Sequence, residues 1–200
     1  MVRRNRGKPA KGSQVRELRA LLVGDYGVGK SSLLLQFVDN AFQETQEIRF
    51  VDDRYRTIEV GGELFKLKLV DTRATERFRS LGYSIYRTIE GIILVYDVTN
   101  EESFTSIRNW LEEINQRRRD TPFMLLVGNK CDLVSQRVVD WDSGALLARE
   151  LRIPFVETSS KDPVSVDIAF AFLSEGMIQT APPTPTIESK APPEKSCKLQ

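Results

Sequence analysis

The chain contains no histidine. That removes Ser-His-Asp hydrolysis, imidazole general bases and every zinc site built on imidazole. Cysteine is nearly as scarce: Cys131 and Cys197 are too few for a disulfide framework and suit a reducing compartment. No apolar run approaches the roughly 18 residues of a membrane span, and Met1-Val-Arg-Arg-Asn-Arg leads into no apolar signal segment. Excess charge of either sign is also missing. Lys+Arg 29 stands against Asp+Glu 28, a formal net charge of +1, which points to no nucleic-acid partner. Two hundred residues, 40% hydrophobic and 28% charged, fit one domain with spare length for tails. The expectation is a soluble intracellular protein whose chemistry uses carboxylates, hydroxyls, lysines, backbone amides or a bound metal.

Composition changes along the chain. Residues 1–16 carry Arg3, Arg4, Arg6, Lys8, Lys11 and Arg16 and no acidic residue, with no apolar periodicity. They read as a basic, flexible arm. Residues 180–200 hold five of the nine prolines and few large apolar side chains, so they read as a disordered tail. A folded domain is expected over 17–179. Within it, apolar strand-like runs at 18–23, 92–98 and 123–127 alternate with helical spacings such as Phe104, Ile107, Leu111 and Ile114. The runs at 54–60 and 64–70 flank Gly61-Gly62, a hairpin signal. Further helices are expected at 31–38, around Leu146–Leu151 and at 164–179. This alternation predicts an α/β fold with an open, mostly parallel sheet and helices on both faces. Trp110 and Phe170 read as core residues.

Four loops follow the carboxyl ends of these strands, where open α/β sheets bind ligands. Gly24-Asp25-Tyr26-Gly27-Val28-Gly29-Lys30-Ser31 matches the phosphate-binding loop G-x-x-x-x-G-K-[ST] between a strand and a helix. Its amides and the helix N-terminus attract phosphate; Lys30 supplies a cation, and the Ser31 hydroxyl suits Mg²⁺. Asp71 closes the next strand, where it holds Mg²⁺ through water or merely caps a turn. Asn129-Lys130-Cys131-Asp132 offers a carboxylate able to accept both N1–H and the amino group of guanine, which adenine cannot match. Thr158-Ser159-Ser160-Lys161 offers backbone amides to the same base, or a helix cap.

These loops, with Glu76-Arg77-Phe78-Arg79-Ser80 and Leu94-Val95-Tyr96-Asp97-Val98-Thr99, resemble the Rab branch of the Ras-superfamily small GTPases. The resemblance implies the P-loop small-GTPase fold with a mostly parallel six-stranded sheet. It implies GTP/GDP as ligand and Mg²⁺ at Ser31 and Asp71. Gly27, Val28, Gly29, Lys30, Ser31, Ser32, Phe42, Asn129, Lys130, Asp132, Ser159, Ser160 and Lys161 become the nucleotide-binding residues, Phe42 stacking on guanine. Effector or regulatory proteins become the partners, in membrane traffic. Cys197-Lys198-Leu199-Gln200 has the form of a prenylation box, so Cys197 is the expected lipid acceptor and the cytosolic face of a membrane the expected location.

The chemistry is where the chain departs from this family. The family's DTAGQ reads Asp71-Thr72-Arg73-Ala74-Thr75, so Thr75 replaces the water-orienting glutamine and Ala74 a glycine. Tyr26 takes a small-residue position beside the γ-phosphate. The family's Mg²⁺-binding threonine falls at Ile48 or Arg49, with Thr45 out of register, and Asp53, Val70 and Ile85 stand where Rab proteins show effectors an aromatic triad. The reading is a nucleotide-binding domain with weak or lost hydrolysis. A conventional GTPase completed by a dedicated activating protein is one alternative. A non-enzymatic adaptor with structural or no nucleotide is the other.

Overall fold

Along the run from Leu18 to Val23 the side chains, Arg19 apart, go to two apolar destinations. Leu18, Ala20 and Leu22 enter one core, Leu21 and Val23 the other, all fully buried. A strand apolar on both faces belongs inside a sheet covered on both sides. The computed structural model describes residues 15–42, 54–71, 88–118 and 120–180, with the backbone alone at 3–4 and 71. In chain order these form β1 (Arg3–Arg4), β2 (Arg16–Val23), α1 (Lys30–Asp39), β3 (Arg54–Val60), β4 (Glu63–Asp71) and β5 (Gly91–Asp97). After them come α2 (Glu101–Arg117), β6 (Phe123–Asn129), a short 3₁₀ turn (Val134–Gln136), α3 (Trp141–Leu151), β7 (Phe155–Glu157) and α4 (Pro163–Thr180).

The strands lie in the order β1-β3-β4-β2-β5-β6-β7. From β4 to β7 every pairing is parallel; β3 joins antiparallel through its hairpin with β4. The six-stranded, mostly parallel sheet expected from the sequence is β2–β7. The two-residue β1 adds to its edge, Arg3 opposite Glu59 and Arg4 opposite Ile58. These two pairs lie within the segment read as an arm, and Arg16 already belongs to β2.

Helices α1 and α4 cover one face through Leu33, Leu34, Phe37, Phe170 and Leu173; α2 and α3 cover the other through Ile107, Trp110, Ile114 and Leu147. Each cover is keyed by size. A methyl group at Gly91 would come within 2.5 Å of Met177 Sδ, one at Gly128 within 2.7 Å of Tyr96 Oη, and one at Gly176 would overlap the Phe123 ring. Polar caps start three helices. The Asn100, Asp140 and Asp162 carbonyl or carboxylate oxygens accept the amides of Ser103, Ser143 and Val164. No described helix is long and apolar enough to cross a membrane.

Candidate functional site

The order of connection reverses beside β2, which is flanked by β4 on one side and β5 on the other. Loops leaving β2 and β5 there part in opposite directions and open a crevice. The phosphate loop fills it. Gly24 has φ +147 and packs so tightly on the Val95 carbonyl that no Cβ fits. Gly29 caps α1 in the left-handed region, φ +97, and a Cβ there would overlap the Asn129 side chain. Lys30 folds back over the loop, its Nζ donating to the carbonyls of Gly24 (2.6 Å) and Asp25 (2.7 Å). Its buried ammonium is thus fixed beside a row of amides at a helix N-terminus, an arrangement suited to phosphate.

Asn129, fully buried at the end of β6, ties three loops together. Its Nδ2 donates to the Val28 carbonyl (2.9 Å) and to Ser160 Oγ (3.2 Å), while its Oδ1 accepts from Thr158 Oγ1 (3.2 Å). Lys130 takes φ 65 and reaches the buried Asp97 at the end of β5, 2.6 Å from Nζ to Oδ2. Ser159 Oγ donates to Asp132 Oδ1 (2.7 Å), and Lys161 Nζ lies 3.6 Å from Asp132 Oδ2. Backbone bonds close the ring: the Cys131 amide donates to Thr158 O and the Thr158 amide to Gly128 O. Burial, and then the Glu157 carboxylate, push the Cys131 thiol above its ordinary pKa.

Between these loops lies a cavity of about 280 Å³. Of the thirteen residues assigned to nucleotide from the sequence, it brings Gly27, Gly29, Ser32, Phe42, Asn129, Lys130, Asp132, Ser159, Ser160 and Lys161 to its walls. Val28, Lys30 and Ser31 sit behind them in the loop and first turn of α1. Lys161 Nζ stands 5.5 Å from the centre of the Phe42 ring, which forms an outer wall. Leu133 also lines the cavity. As an apolar residue one step past the Asn129–Asp132 string it carried no polar signal in the sequence. The Asp97–Lys130 pair was likewise unread, although a carboxylate at a strand's carboxyl end was its visible sign.

Among the described residues no group of three acidic, cysteine or histidine side chains could hold a metal alone. A cation here would need hard oxygens shared with a bound phosphate, and the Ser31 hydroxyl stands in the first turn of α1. Asp71 ends β4 opposite Leu22, two residues before the phosphate loop opens, so its position fits such a site. Tyr26 is 85% exposed at the tip of that loop. Ala74, Thr75, Thr45, Ile48, Arg49, Asp53, Ile85 and Cys197 lie outside the described residues.

Comparison with known proteins agrees with this geometry. The family model described as Ras family matches residues 19–179. The Ras-related protein RIC1 of Oryza sativa subsp. japonica is 48% identical over 153 residues, 76% of each chain. The Ras-related protein RABD2a of Arabidopsis thaliana is 43% identical over 176 residues, 88% of this chain and 87% of that one. The Ras-related protein Rab-1A of Dictyostelium discoideum is 41% identical over 186 residues, 90% of this chain and 92% of that one. Matched from the first core strand to the last helix, and by Rab-named relatives over most of both lengths, the chain belongs to the Rab branch of the Ras-superfamily small GTPases.

Proposed function

We propose that this protein binds GTP and GDP with Mg²⁺ and recruits effector or regulatory proteins in membrane traffic, with GTP hydrolysis weak or lost. The observation that carries the binding half is Asn129, one buried side chain joining the phosphate loop at Val28 to the base loop at Thr158 and Ser160. The cavity is thereby built as one unit from both ends of a nucleotide. In it, the Asp132 carboxylate accepts the N1–H and amino donors of guanine, Phe42 packs against the base, and Lys30 with the loop amides meets the phosphates. Once the base closes over it, a site made for those donors disfavours adenine, because mismatching leaves polar groups unpaired. Ser31 and Asp71 would hold Mg²⁺, which when bound offsets charge on the phosphate oxygens.

The hydrolysis half rests on side chains. Tyr26 is exposed on the phosphate loop, at the position where the family's small residue leaves room for an attacking water or a partner's arginine. Thr75 is too short to orient that water as glutamine does. An arginine finger supplies about 10³–10⁵ in rate in this family, and little of that is expected here. Lipid attachment at Cys197 would place the protein on the cytosolic face of a membrane. One lipid chain binds marginally, and the basic arm at residues 1–16 supplies the second, electrostatic signal.

The test is the nucleotide that co-purifies with the protein. Guanine nucleotide, with GTP still intact after hours in Mg²⁺, is the expected result; rapid intrinsic turnover would sink the catalytic part. Turnover restored by an activator domain would favour a conventional switch, and equal partner binding in both nucleotide forms an adaptor. Restoring the family's residues with Tyr26→Ser and Thr75→Gln together should raise single-turnover hydrolysis at least about tenfold, about 1.4 kcal/mol of barrier.

A further inference from the structure

A carboxylate in a phosphate-binding loop opposes its own ligand unless something restrains it. Asp25 is such a group, flanked by Gly24 and the exposed Tyr26. Its Oδ1 accepts the indole N–H of Trp110 at 2.8 Å. Trp110 lies in the middle of α2, buried in the core between that helix and the sheet, on the face opposite α1. The backbone carbonyl of the same Asp25 seats Lys30 Nζ. One residue therefore takes its side-chain restraint from α2 and passes a fixed carbonyl to the phosphate-binding lysine. The start of α2 is tied into the base loop as well, through Asp97 and Lys130.

We propose that Trp110 is a positioning residue for phosphate binding. By holding the Asp25 carboxylate against α2, it fixes the carbonyl that seats Lys30 and keeps a negative group off the phosphate chain. The proposal rests on the guanine-nucleotide reading above and adds the residue that sets its phosphate affinity. Trp110 never touches the nucleotide; it acts through Asp25. The effect therefore falls on ligands whose outer phosphates meet Lys30, and not on the base.

The test compares GDP with GMP, which share the base and differ in the phosphate that Lys30 meets. Trp110→Phe keeps the ring in the core and removes the donor. It should weaken GDP about tenfold and GMP less than about twofold, the scale of one lost hydrogen bond plus a freed charge. Asp25→Ala leaves the core untouched and should lower the GDP-to-GMP affinity ratio about threefold. Asp25→Asn, which keeps the acceptor oxygen, should hold the ratio within about twofold of the unchanged protein. In a Trp141→Phe background, where Trp110 is the remaining tryptophan, adding GDP should shift its emission more than adding GMP. Equal weakening of GDP and GMP in both Trp110→Phe and Asp25→Ala, or an unchanged ratio, overturns the proposal alone. An unaltered protein that binds neither ligand overturns the underlying reading and this proposal with it.

Discussion

Asn129 holds three partners with one amide, so its removal is felt at more than one loop. Asn129→Ala would leave the Val28 carbonyl and the Thr158 and Ser160 hydroxyls without their buried partner. Stranded groups of this kind cost about 1–3 kcal/mol each before relaxation. A net loss of about 2–3 kcal/mol in urea unfolding is expected, with GDP affinity down at least about tenfold. Affinity unchanged in a destabilised variant would show that Asn129 serves the fold alone. Sequence motifs grouped this residue with Lys130 and Asp132, and all three line one cavity, because a four-residue string is local in the chain. Trp110 shows the opposite case. Its apolar spacing with Ile107 and Ile114 placed it in the core, where it is, but its hydrogen-bond partner lies 85 residues away. Nothing local in the sequence records a contact of that kind.

The same contrast runs through the elements. Strands were legible almost residue by residue, since a run such as Ile92–Val95 has no polar position at which to turn outward. Edges were not. The pairing of Arg3–Arg4 with β3 has no apolar pattern in the sequence to announce it. Helix α4 offers a test at this scale. Asp162 caps it by accepting from Val164 and Ser165, and Ser165 in turn accepts from the Ser159 amide in the base loop. The Val164 amide, followed by that of Ser165, holds the Asp162 carboxyl below the ordinary carboxylate range. A lowered folded value contributes stability that is full above the unfolded value near about 4 and fades as pH falls through the lower folded one. Asp162→Ala should cost about 1 kcal/mol near neutral pH. The gap in melting temperature between the two proteins should stay level from roughly pH 7 to 5 and close toward about pH 3. A gap that widened on acidification would contradict the cap.

For the whole molecule, the walls of the cavity come from loops after the central strand β2 and after β6 and β7, far apart in the chain, and a ligand there binds only the folded state. At about a thousand times its dissociation constant it adds about 4 kcal/mol. In a domain of this size that is about 8–16 °C in melting temperature. Stripping Mg²⁺ and nucleotide with EDTA should lower the transition by that much, and re-adding GDP with Mg²⁺ should restore it. A scan indifferent to both would count against a nucleotide site. The loops can form such a site only if the central strands sit at the right height against one another, and here polarity gives no guidance. A slip of one residue in β5 would exchange one apolar face for another and expose almost nothing. Volume makes the choice instead. Gly91 admits Met177, Gly128 admits Tyr96 and Gly176 admits Phe123, and any shifted pairing would set bulk against bulk and leave holes beside it. Alignment of the phosphate and base loops is in that sense written as a pattern of large and small residues in the two cores, in side chains such as Met177, Tyr96 and Phe123 that do not line the cavity.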